Sequence, residues 1–473
     1  MLLNKHAALY TDYYELTMSQ GYFLSGMHEK KACFDYFFRK LPFKGGYVVF
    51  AGLQNLLDIL SNYTFQKDDL EYLRQRGFKE SFLEYLKSFR FSGTIHSAKE
   101  GEVIFPNEPV LRVEGTILET QIIETLTLNL LNFQSLIATK ASRLKFAAGD
   151  RVVLDFGLRR AQGLGGIHAS RAAIIGGAEA TSNVYSAFTF GLTPSGTMAH
   201  SWVESFDSEL EAFRTFAKIF PDNSTFLVDT YDTLHSGVPN AILVAHEMER
   251  SGQRLKGVRL DSGDFAYLSK RTRAMLNAEG LSYVKIVASN QLDEHIIKSL
   301  EEQGAMIDVF GVGTSLVIGR EDAALDGVYK LSKYDGKPKI KISENIEKVL
   351  VPDVKTVYRY YNSENKFYAD AVVGVNETDI DMMIHPHQSV KRLSLKGLRK
   401  ESLMNCVMQN GKCTTKSLTA YEIAEYAAER LQLLPDEHKR FEYPHIYKVG
   451  FSPALLKVRD ELINEKLTLR DSN

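Results

Sequence analysis

The rhythm of apolar and polar positions divides the chain into three regions, with boundaries predicted near residues 139 and 330. In residues 1–139, apolar runs at Phe34–Phe38 and Tyr47–Leu53 predict strands or buried segments, and the charged stretch Phe65–Phe89 predicts helix. The segment FSGTIHSAKEGEVIFPNEPVLRVEG alternates in short runs punctuated by Gly, Pro and Asn, which predicts a small β subdomain. Leu118–Thr139 has apolar residues at helical spacing and little charge, the pattern of a buried or interface helix.

Residues 140–330 change texture. Short apolar runs recur: VVLDF, FLVDT, GVRLDSGD, KIVASN and IDVFGVGT. Amphipathic stretches at Ala241–Glu249, Leu268–Glu279 and Asp293–Glu302 separate the last four runs, which lie about 20–30 residues apart. That alternation predicts β-α units in a parallel sheet or barrel. Residues 331–473 carry charge-rich alternating runs such as KLSKYDGKPKIKIS, then the helix-like TAYEIAEYAAERLQLL. They read as an α+β extension packing on the N-terminal region.

Composition narrows the class. Hydrophobic residues at 44% are too many for a disordered chain. A net charge of −2 gives no basic field, so no nucleic-acid partner is expected. The three cysteines, Cys33, Cys406 and Cys413, form neither a CxxC pair nor a zinc spacing, which predicts reduced thiols in a cytoplasmic protein. The N-terminus turns polar too soon for a secretory signal, and no apolar run approaches ~18 residues, so no membrane span is expected.

The chemistry lies in how the apolar runs end. VVL ends in Asp155-Phe156-Gly157, with Arg159 and Arg160 following. FLV ends in Asp229-Thr230-Tyr231-Asp232. GVRL contains Arg259 and ends in Asp261-Ser262-Gly263; KIVA ends in Ser289-Asn290; IDVF ends in Gly311-Val312-Gly313-Thr314. One Asp after a strand is ordinarily a helix cap. Five polar strand ends in series point to a shared site, since strand C-termini are where α/β proteins build sites. Gly311 and Gly313 suit backbone N–H contact with phosphate, the arginines suit further phosphate oxygens, and Asp229, Asp232 and Asp261 suit ribose hydroxyls or Mg²⁺. There is no Walker A motif, complete GxGxxG or HExxH. His200, in SGTMAHSWVES, reads from its neighbours as a residue of a strand or buried turn, either structural or a nucleophile or acid–base group. His168 and His235 read as surface loop histidines.

With these pieces in order the chain resembles the nicotinate phosphoribosyltransferases. The resemblance rests on LYTDYYELTM (9–18), GYVVFAGL (46–53), LDFGLRRAQG (154–163), GTMAHSW (196–202), FLVDTYDT (226–233), GVRLDSGD (257–264) and DVFGVGTSL (308–316); residues beyond 330 add no landmark. It implies an irregular TIM-like α/β barrel beside a smaller α+β domain built from both chain ends, working as a homodimer with composite sites. The implied reaction joins nicotinate to phosphoribosyl pyrophosphate, with coupled ATP hydrolysis through a phosphohistidine at His200. Asp229 and Asp261 are the implied catalytic carboxylates, Asp261 on the ribose. The pyridine would stack between Phe156 and a partner subunit's Tyr14, with its carboxylate on Arg259. Gly311, Gly313 and Thr314 would hold the 5′-phosphate, and Arg39 and Arg159 the pyrophosphate or other phosphates. Mg²⁺ would arrive with the pyrophosphate, with no protein ligand assigned.

Nicotinamide-using relatives carry an acidic residue near the position of Thr193. Its absence favours nicotinate, because a carboxylate there would repel the acid. The rival readings are nicotinamide transfer, quinolinate-type transfer, a barrel lyase or isomerase with a phosphate site, and a non-catalytic nucleotide-binding module. None of the five runs ends in the lysine a Schiff-base aldolase needs.

Overall fold

The computed structural model describes residues 5–342 and 351–471. The first four residues of the polar N-terminal segment and the last residue of the KLSKYDGKPKIKIS run lie outside them. The chain forms two compact units. One comprises Ile137–Ala323 with Thr419–Ala424; the other gathers the residues up to Leu136, Ala324–Leu418 and those from Glu425 onward. The unit built from both chain ends is therefore the larger, not the smaller as expected, because the C-terminal segment adds a sheet of its own.

The five apolar runs become five strands of one sheet. These are β1 (Val152–Asp155), β3 (Thr225–Leu227), β4 (Gly257–Leu260), β5 (Lys285–Ser289) and β6 (Val309–Val312), and a short β2 (Ala180–Thr181) joins them. The order is β2-β1-β6-β5-β4-β3, every pair parallel. Helices Val238–Arg250, Phe265–Ala278 and Glu294–Glu302 make the crossovers at the amphipathic stretches. Phe226, Val258, Leu260 and Ile286 are fully buried, which is why the runs are nearly continuous in apolar residues rather than alternating. Among the described residues the sheet keeps two edges, β2 and β3, so it is a mixed α/β half-barrel and not a closed ring of strands.

Register builds the site face. Side chains alternate along a strand. Arg259 is level with Val287, two residues before Ser289; Ser289 is level with Gly311; Gly311 is level with Leu154, two residues before Phe156. Arg259, Ser289, Gly311 and Phe156 therefore share one face.

In the other unit, Lys31–Phe38 lies central in a seven-stranded sheet between Gly327–Tyr334 and Leu111–Thr116. The predicted β subdomain supplies Thr94–Ser97 and Leu111–Thr116 to it. The charged stretch Phe65–Phe89 is two helices, Lys67–Gln75 and Glu80–Ser88. A six-stranded sheet comes from the C-terminal region, centred on Lys355–Tyr361, Phe367–Gly374 and Lys448–Phe451. The buried helix expected over Leu118–Thr139 is two helices, Ile117–Ile122 and Glu124–Ala148.

Candidate active site

Arg259 is the hub of the strand-end face. Its Nε donates to Ser289 Oγ at 2.8 Å, its Nη1 to Thr197 Oγ1 at 3.0 Å and to the Met198 carbonyl at 3.3 Å, and its Nη2 to Asp261 Oδ1 at 2.7 Å. Ser289 Oγ in turn donates to the same Asp261 oxygen. The guanidinium is thus set in one plane by groups from three segments, with one N–H of Nη2 left over.

Phe156 lies against this cation, its ring centre 5.7 Å from the guanidinium carbon. A Cβ on Gly311 would fall 2.5 Å from the Phe156 ring. Gly311 therefore makes room for an aromatic face, a role beside the anion contact its place in a Gly-rich turn predicts. Behind the ring, Asp155 is fully buried and accepts from Thr181 Oγ1 at 2.7 Å and from the Gly157 N–H at 2.9 Å. Burial raises its pKa while these bonds oppose the shift. Asp155 holds the turn that presents Phe156.

His200 opens a short helix, His200–Glu204, rather than lying in the strand or buried turn its neighbours predict. The Gly-Thr turn before it ends in extended Ala199, from which a helix starts at once. Its Nδ1 is 3.1 Å from Thr230 Oγ1, and its Nε2 is 3.8 Å from Asp261 Oδ2. Asp229 Oδ2 accepts from the Asp261 N–H at 3.0 Å and from Ser262 Oγ at 2.6 Å. Its Oδ1 is buried with no hydrogen-bond partner among the described residues. A buried carboxylate oxygen without a donor is costly, and here it fits a ribose hydroxyl or a cation. The structure thus brings His200, Asp229, Phe156, Arg259, Asp261 and Gly311 to one place. Sequence reasoning missed Thr197, Thr230 as the histidine's partner, and Ser289 as a brace; the first two stand inside the landmarks GTMAHSW and FLVDTYDT.

Other candidates fall elsewhere. The Thr193 residue is exposed and its N–H donates to Tyr421 Oη at 2.9 Å; Arg259 meets Thr197 instead, four residues on. The reason is that Thr193 and Ser195 hydrogen-bond to Thr181 as an added edge beside β2, so the chain reaches Arg259 only after that edge ends. Arg159 is exposed on the one-turn helix Leu158–Arg160, and exposed Thr314 follows Gly313 at the end of β6. Asp232 is a cap, accepting from the Leu234 and His235 N–H groups. His168 is not a surface loop residue: it is buried in helix Gly165–Ile175, and burial lowers its pKa to about 4. Tyr14 and Arg39 belong to the other unit. Tyr14 is half exposed on helix Tyr13–Leu24, beside Glu15. Arg39 stacks on Phe37 at 5.3 Å, and burial lowers its pKa.

Two described groups can converge on a metal ion, His6 with Asp68 and Asp69, and Glu294 with His295 and Glu321. Neither includes Asp229 or Asp261. Among the described residues no helix is long and apolar enough to cross a membrane.

Comparison with known proteins follows the same residues. The model of the nicotinate phosphoribosyltransferase (NAPRTase) family matches residues 152–366, and its N-terminal and C-terminal domain models match 9–132 and 354–459. A Bacillus subtilis nicotinate phosphoribosyltransferase is 43% identical over 97% of this chain and 95% of its own length. The chain belongs to the nicotinate phosphoribosyltransferase family. A Dictyostelium discoideum nicotinate phosphoribosyltransferase is 35% identical over 98% of the chain and 89% of its own length. The solved human nicotinic acid phosphoribosyltransferase superposes with a TM-score of 0.85 at 28% identity, covering 96% of this chain and 99% of that one. A Pyrococcus furiosus nicotinate-nucleotide pyrophosphorylase gives 0.71 at 25%, covering 90% and 95%. The nicotinate phosphoribosyltransferase match extends to residues 354–459, where the sequence offered no landmark.

Proposed function

We propose that this protein joins nicotinate to phosphoribosyl pyrophosphate, giving nicotinate mononucleotide and pyrophosphate, with ATP hydrolysis coupled through a phosphorylated His200. The observation that carries the proposal is Arg259 set against the Phe156 ring: a cation for a carboxylate beside a flat face for the pyridine that bears it. Stacking and the ion pair together orient the ring nitrogen for attack on ribose C1. As the C1–oxygen bond breaks, positive charge grows on the ribose, and in this reading Asp229 and Asp261 are the carboxylates that stabilise it. Asp229, whose Oδ1 has no hydrogen-bond partner among the described residues, would be the residue to hold Mg²⁺ delivered with the pyrophosphate, and the ion would supply charge neutralisation of the leaving group. The 5′-phosphate is assigned to the β6 turn at Gly311, Gly313 and Thr314, and other phosphates to Arg159 and Arg39. In this reading a second copy of the chain contributes Tyr14 to the other face of the pyridine. Nicotinate over nicotinamide is assigned to the Arg259 cation, since Thr193 lies exposed against Tyr421.

Pyrophosphate release tests the reading directly. It is expected with nicotinate, faster with ATP present, and much weaker with nicotinamide. Preference for nicotinamide, or release of carbon dioxide from quinolinate, overturns it.

A further inference from the structure

His200 has one side-chain hydrogen bond among the described residues, to the hydroxyl of Thr230 at 3.1 Å. We propose that Thr230 is the positioning residue that orients His200 for phosphoryl transfer from ATP, holding Nδ1 so that Nε2 takes the γ-phosphoryl group as its bond to the β-phosphate oxygen breaks and ADP leaves. The proposal rests on the phosphohistidine reading above and extends it to a residue with no contact to substrate required.

Three features favour a threonine here. Thr230 directly follows Asp229 just past β3, where the Val228 N–H donates to the Arg259 carbonyl and ties the chain leaving the strand to β4. Its branched Cβ restricts χ1, which holds the hydroxyl in one direction without further bonds. A hydroxyl both donates and accepts, so it stays bonded to Nδ1 whether that nitrogen bears a proton or a lone pair. A carboxylate in its place would add negative charge where the anionic γ-phosphate must arrive. Asp261 already lies on the other side of the ring, with Oδ2 at 3.8 Å from Nε2, outside hydrogen-bond reach. Without Thr230 the imidazole has no hydrogen bond to hold its plane, and its side chain is 40% exposed, so it is free to rotate.

The test compares Thr230→Val, which keeps the shape and removes the hydroxyl, with Thr230→Ser, which keeps the hydroxyl. Acid-labile phosphate incorporated from γ-labelled ATP is measured alongside equilibrium binding of nicotinate. The valine variant is expected to lose roughly tenfold in incorporation rate, the effect of one hydrogen bond, with nicotinate binding unchanged; the serine variant is expected to recover most of that rate. Incorporation at the wild-type rate in Thr230→Val overturns the proposal. So does failure of Thr230→Ser to restore it, or an equal loss of nicotinate binding, since either makes the role one of packing. Undiminished labelling of His200→Ala, run in parallel, would instead remove the phosphohistidine reading itself.

Discussion

The Phe156 ring occupies the space that a side chain on Gly311 would need, 2.5 Å from where its Cβ would sit. Gly311 and Phe156 are therefore one steric unit. Gly311→Ala is expected to push the ring off Arg259 and lower kcat/KM for nicotinate by roughly 10–100-fold. Steady-state kinetics check this, with circular dichroism to show that the fold is kept. Unchanged kinetics would mean that the ring position does not matter.

Arg259→Lys keeps the charge and loses the planar fork held by Thr197, Ser289 and Asp261. The expected result is a KM for nicotinate raised by about 10–100-fold, with a smaller change for phosphoribosyl pyrophosphate. Kinetics with each substrate varied in turn separate the two.

His200→Ala is expected to abolish acid-labile labelling from ATP and the ATP stimulation of transfer. Labelled phosphate retained after gel filtration is the measurement.

Stability in the larger unit depends on a buried ion cluster. Arg359 pairs with Glu102 at 2.6 Å and with Asp370 at 2.6 Å, all three fully or almost fully buried, and Arg430 meets Glu102 at 2.9 Å. Asp370→Ala leaves a buried cation short of a partner and is expected to destabilise by about 3–5 kcal/mol. Denaturant unfolding followed by fluorescence measures it.

Glu15 sets a pH dependence. It is fully buried and accepts from Thr125 N–H and Oγ1 and from Thr11 Oγ1, bracing the segment that carries Tyr14. Burial is the largest influence and raises its pKa to about 7. The folded state therefore binds the proton more tightly than the unfolded state. Its contribution is fully present below the unfolded carboxyl range and is lost as pH rises toward about 7. Glu15→Gln is expected to flatten the fall of Tm between mildly acidic and neutral pH, measured by calorimetry across that range.

Much of this was legible in the chain, for definite reasons. The strands around Asp155, Asp229, Asp261, Ser289 and Gly311 are mostly buried, so their apolar runs stand out between amphipathic helices. Arg259 and His200 were legible because each sits inside a distinctive short motif. Asp232 shows the limit: it follows its strand as Asp229 does, yet it caps the next turn. Local sequence cannot separate the two, because the difference is which neighbouring strand lies within reach of the carboxylate.

The sequence by itself determined the parallel α/β class, the strand-end location of the chemistry and the kinds of group gathered there, because periodicity and residue type are local properties. Tertiary structure decided which of them meet. Parallel register placed Ser289 and Gly311 level and so packed Phe156 over a glycine. The added edge beside β2 carried the loop past Thr193 and delivered Thr197 to Arg259. The end of β3 set Thr230 against His200. These pairings join residues 22 to 155 positions apart, and only the folded sheet brings such separations together.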